Sequence, residues 1–319
     1  MAKGLAIIGL GVVGRRTMAN AMAQDGLAIS GAWDLEPAAC AAAKADRPDL
    51  RIAADANALV TDPRTDAVYI AVPPAWHKDY ALLAVEHGKA VFCEKPLGID
   101  VAESRDLVDR IEASGLPNAV NFVHGATAAG SLIADRLKDG SVGAVAGVDI
   151  RLHFAQWPRA WQASADWLRF RDQGGYVREV LSHFVYLTER LFGPATLRGS
   201  VVRYPDDPKL CETHVLAELD CNGVPISIAG GSGGAGPDGV EYVIHGETTS
   251  FRLYDWFNLQ QSDGGPWTEL LTDITDKRQD AFVRQLAALA AMLNGEPHTL
   301  PNVRAALSVQ ELIEGILRP

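Results

Sequence analysis

The 319 residues include only four cysteines, Cys40, Cys93, Cys211 and Cys221, and no two form a C-x-x-C pair. That spacing speaks against a disulfide framework and a thiolate metal cage, and it fits free thiols in a reducing cytoplasm. No apolar run approaches the ~18–20 residues of a membrane span. A basic patch is also missing, since the longest basic runs are the pairs Arg15-Arg16 and Lys277-Arg278. Lysine and arginine number 29 against 40 acidic residues, so the formal charge is 29 − 40 = −11. Phosphate backbones and anionic bilayers are repelled by such a chain, and neither nucleic acid nor membrane is expected as a partner. Residues 5–13 and Ala19-Asn20-Ala21 imitate a secretory leader, but glycines interrupt the apolar stretch and Arg15-Arg16 follow it instead of preceding it. Apolar residues make up 48% and charged residues 22%, which is the balance of a folded chain. At ~100–200 residues per domain, about two domains are expected.

What is present begins with glycine. The apolar run of residues 5–9 leads into Gly9, Gly11 and Gly14, a helix-like segment follows over residues 15–25, and a second apolar run ends at Asp34. Strand, G-x-G-x-x-G, helix, strand and acidic residue in that order form a dinucleotide fingerprint. Gly9 allows a tight turn, Gly11 lets the backbone approach a pyrophosphate, and Gly14 lets helix and strand pack closely. Val12 and Val13, between these glycines, are expected cofactor contacts, and the helix N-terminus offers free N–H groups and a positive dipole end. Asp34 is placed to accept the adenosine ribose hydroxyls, and it would repel a 2′-phosphate. NAD is therefore favoured over NADP, although Arg15 or Arg16 could reach across to serve NADP.

The βα rhythm continues through an apolar strand at residues 66–72, a helix over 77–87 and a strand over 90–93, which implies a doubly wound parallel sheet. Ligands bind such sheets beyond the carboxyl ends of the strands. The loops from Ala71 and Pro73 to His77 and from Glu94 to Leu97 should therefore face the cofactor. Asn121 ends the last strand of this domain, either beside the nicotinamide or as an ordinary strand-end amide. Strands dominate afterwards, and over residues 215–221 apolar side chains alternate with Glu218 and Asp220, the pattern of a sheet with one buried face. The glycine-rich stretch 230–236 reads as a flexible connection. Trp157, Trp161 and Trp167, with Arg159 among them, suit either a substrate site or an interface between subunits.

Glu94-Lys95-Pro96 after an apolar strand, residues 71–77 (AVPPAWH), the glycine fingerprint and residues 174–183 (GGYVREVLSH) together resemble the glucose–fructose oxidoreductase/inositol dehydrogenase (Gfo/Idh/MocA) family over essentially the whole chain. The resemblance implies an α/β protein: an N-terminal Rossmann domain, residues 1–121, then a C-terminal α+β domain, residues 122–319, on a mixed, mostly antiparallel open sheet. It implies a cis Lys95–Pro96 peptide and an active site between the domains. There Lys95 holds a substrate hydroxyl and His183 serves as acid/base in the oxidation of a secondary alcohol. Such chemistry needs one group to take the hydroxyl proton and another to stabilise the developing alkoxide, while hydride transfer belongs to the nicotinamide.

Glu179 lies four residues before His183, on the same helix face, where the family usually has aspartate. It could orient His183, touch substrate, or form a solvent-facing ion pair. The family often has aspartate where Tyr186 stands, so this chain loses a charge that polyol-oxidising members use for substrate hydroxyls. Arg178 adds a cation beside Glu179, and Trp157, Arg159, Arg178 and Tyr186 are the expected substrate contacts. No third ligand completes a metal site with Glu179 and His183, so no metal is expected. A small hydroxylated or cyclic molecule is the expected substrate. A cytoplasmic homo-oligomer, dimer or tetramer, is the expected assembly, because an open sheet leaves one face to cover. Two alternatives share the fold: a non-catalytic NAD-binding sensor, and a glycosidase that recycles bound NAD.

Overall fold

The computed structural model describes residues 2–163 and 165–318, and the chain divides into two units, residues 1–126 with 282–307 and residues 127–281 with 308–319. In the first, β1 (Lys3–Ile8), α1 (Val12–Met22), β2 (Leu27–Trp33), α2 (Pro37–Asp46), α3 (Ala56–Val60), β3 (Ala67–Ile70), α4 (His77–Glu86), β4 (Ala90–Glu94), α5 (Val101–Ser114) and β5 (Asn118–Asn121) follow one another. The strands pair in parallel in the order β2-β1-β3-β4-β5. Leu5, Ile7, Ile8, Val68, Tyr69, Ile70 and Val91 have no exposed surface, the continuous burial of parallel strands covered on both faces. From β1 the order runs to β2 on one side and to β3 on the other. That reversal opens a crevice beyond the carboxyl ends of β1 and β3.

The second unit contributes α6 (Ala128–Lys138), β6 (Val145–Phe154), α7 (Ser182–Phe192), β7 (Ala195–Arg203), β8 (His214–Cys221), β9 (Val224–Ser232), β10 (Gly239–Gly246), β11 (Ser250–Tyr254), β12 (Asn258–Ser262) and β13 (Thr268–Leu270). The sheet order is β13-β12-β11-β10-β6-β9-β8-β7, and β6 with β9 is its parallel pair. Along β8, Val215, Leu219 and Cys221 are buried while His214, Leu216 and Glu218 are exposed. Helix α7 covers the buried face, where Phe184 stacks on Tyr242 at 6.1 Å and the Thr188 hydroxyl meets the Tyr242 hydroxyl at 3.1 Å. On the other face Val201 and Leu216, paired across β7 and β8, are 62% and 59% exposed.

One expectation from sequence changes. Gly230, Gly231 and Ser232 are strand residues of β9, Gly230 and Gly231 paired to both β6 and β8 and Ser232 to β6, so only the later part of the glycine-rich stretch is a connection. A Cβ on Gly230 would lie 2.9 Å from the ring of Tyr176, so the strand needs glycine there for an aromatic ring to pack against it. The first unit also extends past residue 121. Helix α8 (Lys277–Leu293) sends Leu286, Leu289 and Met292 into the core that holds Leu5, Ile7, Tyr69 and Phe92. Arg304, at the start of α9 (Val303–Leu317), hydrogen-bonds Asp109 and Glu112 of α5.

Candidate active site

In the first unit the three fingerprint glycines do different work. Gly9 sits at φ +98°, and a Cβ there would lie 2.3 Å from the carbonyl oxygen of Ala71. A Cβ on Gly14 would lie 1.9 Å from the carbonyl oxygen of Gly9. Both glycines are thus demanded by the packing of β1, β3 and α1. Gly11 is not, since nothing lies within 4 Å of the position its Cβ would take. It leaves an open cradle before the first turn of α1, where no side chain caps the helix and Val12 and Val13 are exposed. Uncapped amides at the positive end of a helix dipole, with room in front, fit a pyrophosphate.

Asp34, just beyond β2, accepts the amide of Leu10 at 2.6 Å and that of Glu36 at 2.8 Å. It therefore ties the glycine loop to the end of β2, and its carboxylate oxygens retain lone pairs for ribose hydroxyls. Arg15 is ion-paired with Asp46, and the Arg16 guanidinium lies over the ring of Phe282 at 5.7 Å.

The His77 ring has no exposed surface and faces backbone carbonyls. Nδ1 lies 2.8 Å from the carbonyl oxygen of Pro96 and Nε2 lies 2.9 Å from that of Val72. The imidazole staples the loop after β3, with Ala71 and Pro73, to the loop after β4 that holds Lys95. Burial pushes its pKa down, against the opposing pull of the carbonyl contacts. The Lys95–Pro96 peptide is cis, and Lys95 is 8% exposed.

Behind Lys95 lies a polar cluster whose members Thr17 and Tyr69 carry no sequence signal beyond their apolar surroundings. The Tyr69 hydroxyl donates to the Glu94 carboxylate and receives the Thr17 hydroxyl at 3.1 Å. Asn121 Nδ2 donates to the same Glu94 oxygen at 2.5 Å. Burial and the Glu94 charge push the Tyr69 phenol well up, so it stays a donor. Among the described residues the buried Oδ1 of Asn121 has no hydrogen-bond partner, and an amide of bound nicotinamide would supply one. Glu94 and Asn121 thus brace each other at the carboxyl edge of β4 and β5.

In the second unit Gly174 and Gly175 lead into a π-helical turn, Val177–Leu181, that runs on into α7, a local form often found at functional sites. Glu212 directs this entry. Buried to 2% exposure, it accepts the Val177 amide at 2.8 Å, and a Cβ on Gly175 would lie 2.4 Å from its carboxylate. Burial raises its carboxyl pKa to about 7.

His183 is 8% exposed, and its ring meets Trp256 edge-on at 5.6 Å. Trp256 lies on the β11–β12 turn at φ +74°, after Asp255 at φ +44°, and it was missed in sequence. Its only signal was an aromatic residue at a hairpin tip. Glu179 is half-buried and takes a contact from Gln162 Nε2 at 3.5 Å. Gln162 Oε1 in turn accepts from Arg159 Nε at 3.0 Å. The Arg159 guanidinium is collared by aromatic rings, at 4.9 Å from Trp161, 5.5 Å from Phe154, 5.6 Å from Trp157 and 5.9 Å from Trp256. Trp157 also packs on Tyr176 at 6.0 Å and donates its indole N–H to the Leu168 carbonyl at 3.0 Å. Tyr186 is buried on α7, where burial raises its phenol to about 12.

Arg178 corrects an expectation. Nε and Nη2 grip the Glu314 carboxylate at 2.5 and 2.9 Å, while Nη1 donates to the carbonyls of Arg171 and Gly174 at 2.8 and 2.9 Å. All three nitrogens are engaged, so the guanidinium holds the glycine turn in place instead of facing a substrate. Neighbouring residues on a helical turn point in different directions, and Glu179 turns instead toward Gln162.

A doubly wound sheet with a glycine cradle at its switch point, joined to a mixed-sheet unit bearing a buried histidine, defines a dinucleotide-binding oxidoreductase class. The family model for the Gfo/Idh/MocA oxidoreductase family, NAD-binding Rossmann fold, matches residues 3–122, and its C-terminal alpha/beta domain matches residues 134–318. The chain belongs to that family. It is similar to the 2,7-anhydro-N-acetylneuraminate hydratase of Mediterraneibacter gnavus, 29% identical over 178 residues, covering 54% of this chain and 44% of that protein. An inositol 2-dehydrogenase of Paracoccus denitrificans is 32% identical over 115 residues, 35% of this chain and 34% of that one. The chain thus spans less than half the length of these curated relatives. In fold it is similar to an Agrobacterium radiobacter oxidoreductase solved with NAD+, L-tartaric acid and magnesium, at TM-score 0.83 and 17% identity, covering 98% of this chain and 95% of that one. Among the described residues no helix is long and apolar enough to cross a membrane.

Proposed function

We propose that this protein is an NAD-dependent oxidoreductase interconverting a secondary alcohol and a ketone on a small hydroxylated or cyclic substrate. The observation that carries the proposal is Lys95, nearly buried at the carboxyl edge of β4 in the loop that the His77 staple holds. Gly9, Gly11, Gly14, Val12, Val13 and Asp34 would hold the dinucleotide, with Ala71, Pro73, Glu94 and Asn121 around its nicotinamide end. Bound NAD supplies the hydride acceptor. The substrate hydroxyl gives its proton to the His183 imidazole, a group able to serve as general base. The Lys95 ammonium holds the oxygen that becomes the carbonyl, stabilising its developing negative charge. Glu179 orients His183 or contacts a neighbouring substrate hydroxyl, and Trp157, Arg159 and Tyr186 line the substrate.

The engagement of Arg15 by Asp46 and the Asp34 carboxylate support NAD over NADP, since a 2′-phosphate would meet the Asp34 anion and an Arg15 already paired. A second copy of the chain covers the exposed sheet face at Val201 and Leu216 in a cytoplasmic homo-oligomer, so Leu216→Asp should lower the mass measured by light scattering. The enzymatic test is NADH absorbance across sugar, polyol, hydroxy-acid and dihydrodiol panels, followed by Lys95→Ala. Near-normal turnover by that variant on the true substrate removes the role given to Lys95. Tight NAD binding with no NADH from any panel, and a copurifying protein, would instead indicate a sensor.

A further inference from the structure

We infer that Arg159 receives a carboxylate of the substrate, which makes the substrate a hydroxylated acid of the sugar-acid type instead of a neutral polyol. This rests on the proposal that the Arg159–Glu179–His183 region takes substrate. Four aromatic rings lie within 6 Å of the guanidinium carbon, and burial away from water pushes the arginine's pKa down. Apolar ring faces strip water from a cation, which strengthens any ion pair it forms and makes an uncompensated charge costly. Yet among the described residues no carboxylate lies within 4 Å of this guanidinium, and its one hydrogen bond is from Nε to Gln162.

That single bond also sets direction. Gln162 fixes the Nε edge, so the two Nη groups remain as a planar fork, the geometry that takes both oxygens of a carboxylate. Trp161, 49% exposed, leaves the collar open on one side to solvent.

The chemistry of the neighbourhood then gives the position of the acid group. Trp256 touches both the Arg159 guanidinium, at 5.9 Å, and the His183 ring, at 5.6 Å. A carboxylate on Arg159 therefore sits one indole away from the imidazole that takes the hydroxyl proton. Glu179 stands on the far side of Gln162. A singly charged carboxylate suits this surrounding better than a phosphate dianion, which an adjacent acid repels more strongly.

The collar contains three tryptophans, so binding can be read from intrinsic fluorescence of the full chain without turnover. The probes are a panel of uronates and aldonates, the methyl esters of the uronates, the parent neutral sugars, and glucose 6-phosphate. At least one acid should bind about tenfold or more tighter than its ester and its neutral parent, given the strength of charge-assisted hydrogen bonds. Arg159→Gln should abolish that preference and Arg159→Lys should retain part of it. The acid–ester comparison on the unmodified protein needs no variant to fold. Equal binding of acid and ester, no quenching by any acid, or a preference unchanged in Arg159→Gln each overturns the inference, and tighter binding of the phosphate reassigns the group. NADH formed only from neutral sugars would overturn it while leaving the oxidoreductase proposal standing. Acid binding without NADH formation would do the reverse.

Discussion

The carboxylate of Glu212 accepts the amide of Val177 at 2.8 Å, capping the turn that carries Glu179 and leads to His183. Its carboxyl titrates at about 7 in the folded chain, against an ordinary 4.5, chiefly because of burial. The folded protein therefore binds more protons than the unfolded one between those values, and stability from this group falls as pH rises through that window. The full gap corresponds to about 3 kcal/mol. Thermal midpoints measured from pH 4.5 to 7.5 should decline less steeply in Glu212→Gln than in the unmodified protein, and parallel curves would rule out this group as the source.

His77 contributes the opposite slope. Its lowered pKa means the unfolded chain takes up the proton first, so stability falls as pH drops below the ordinary histidine range of about 6.5. Replacing it with glutamine should flatten the acid side of the profile. The same change should loosen the Lys95 loop and lower turnover without abolishing dinucleotide binding, which a calorimetric titration with NAD would separate.

The glycines of the fingerprint should fall into two groups. Gly11→Ala has open space and should keep its thermal midpoint within about a degree or two, consistent with a near-neutral surface change, while weakening NAD binding at least tenfold because the methyl enters the cradle. Gly14→Ala meets a carbonyl at 1.9 Å and should destabilise by about 2 kcal/mol or more. Equal destabilisation by both would show that Gly11 is needed for folding alone.

Trp256 touches both the Arg159 guanidinium, at 5.9 Å, and the His183 ring, at 5.6 Å. Trp256→Leu removes ring contacts worth about 1–2 kcal/mol in sum. A fall in kcat/KM on the order of tenfold is expected, with the folded far-ultraviolet spectrum retained. An unchanged kcat/KM would leave the indole as packing only.

Much of the first unit was legible because its signals are local. Gly9, Gly11, Gly14 and Asp34 lie within one strand–helix–strand passage, and Lys95 directly follows a buried strand. What was not legible joins distant stretches: Glu212 caps a turn 35 residues earlier in the chain, and Trp256 reaches His183 from a hairpin on another part of the sheet. Arg178 and Arg159 look alike in sequence, as arginines beside candidate residues. Only the placement of Glu314, 136 residues from Arg178, decides that one is a strut and leaves the other available. The apolar spacing of α8 marked a buried face without naming the core it enters.

The return of residues 282–307 to the first unit has a consequence for how this gene can be recombined. A single crossover that exchanges the dinucleotide half for a relative's would swap Leu5 and Ile7 while keeping the old Leu286, Leu289 and Met292, mixing two parental cores. A working chimera needs two further breakpoints, one within α8 and one within α9, so that the donor insert arrives as a split cassette.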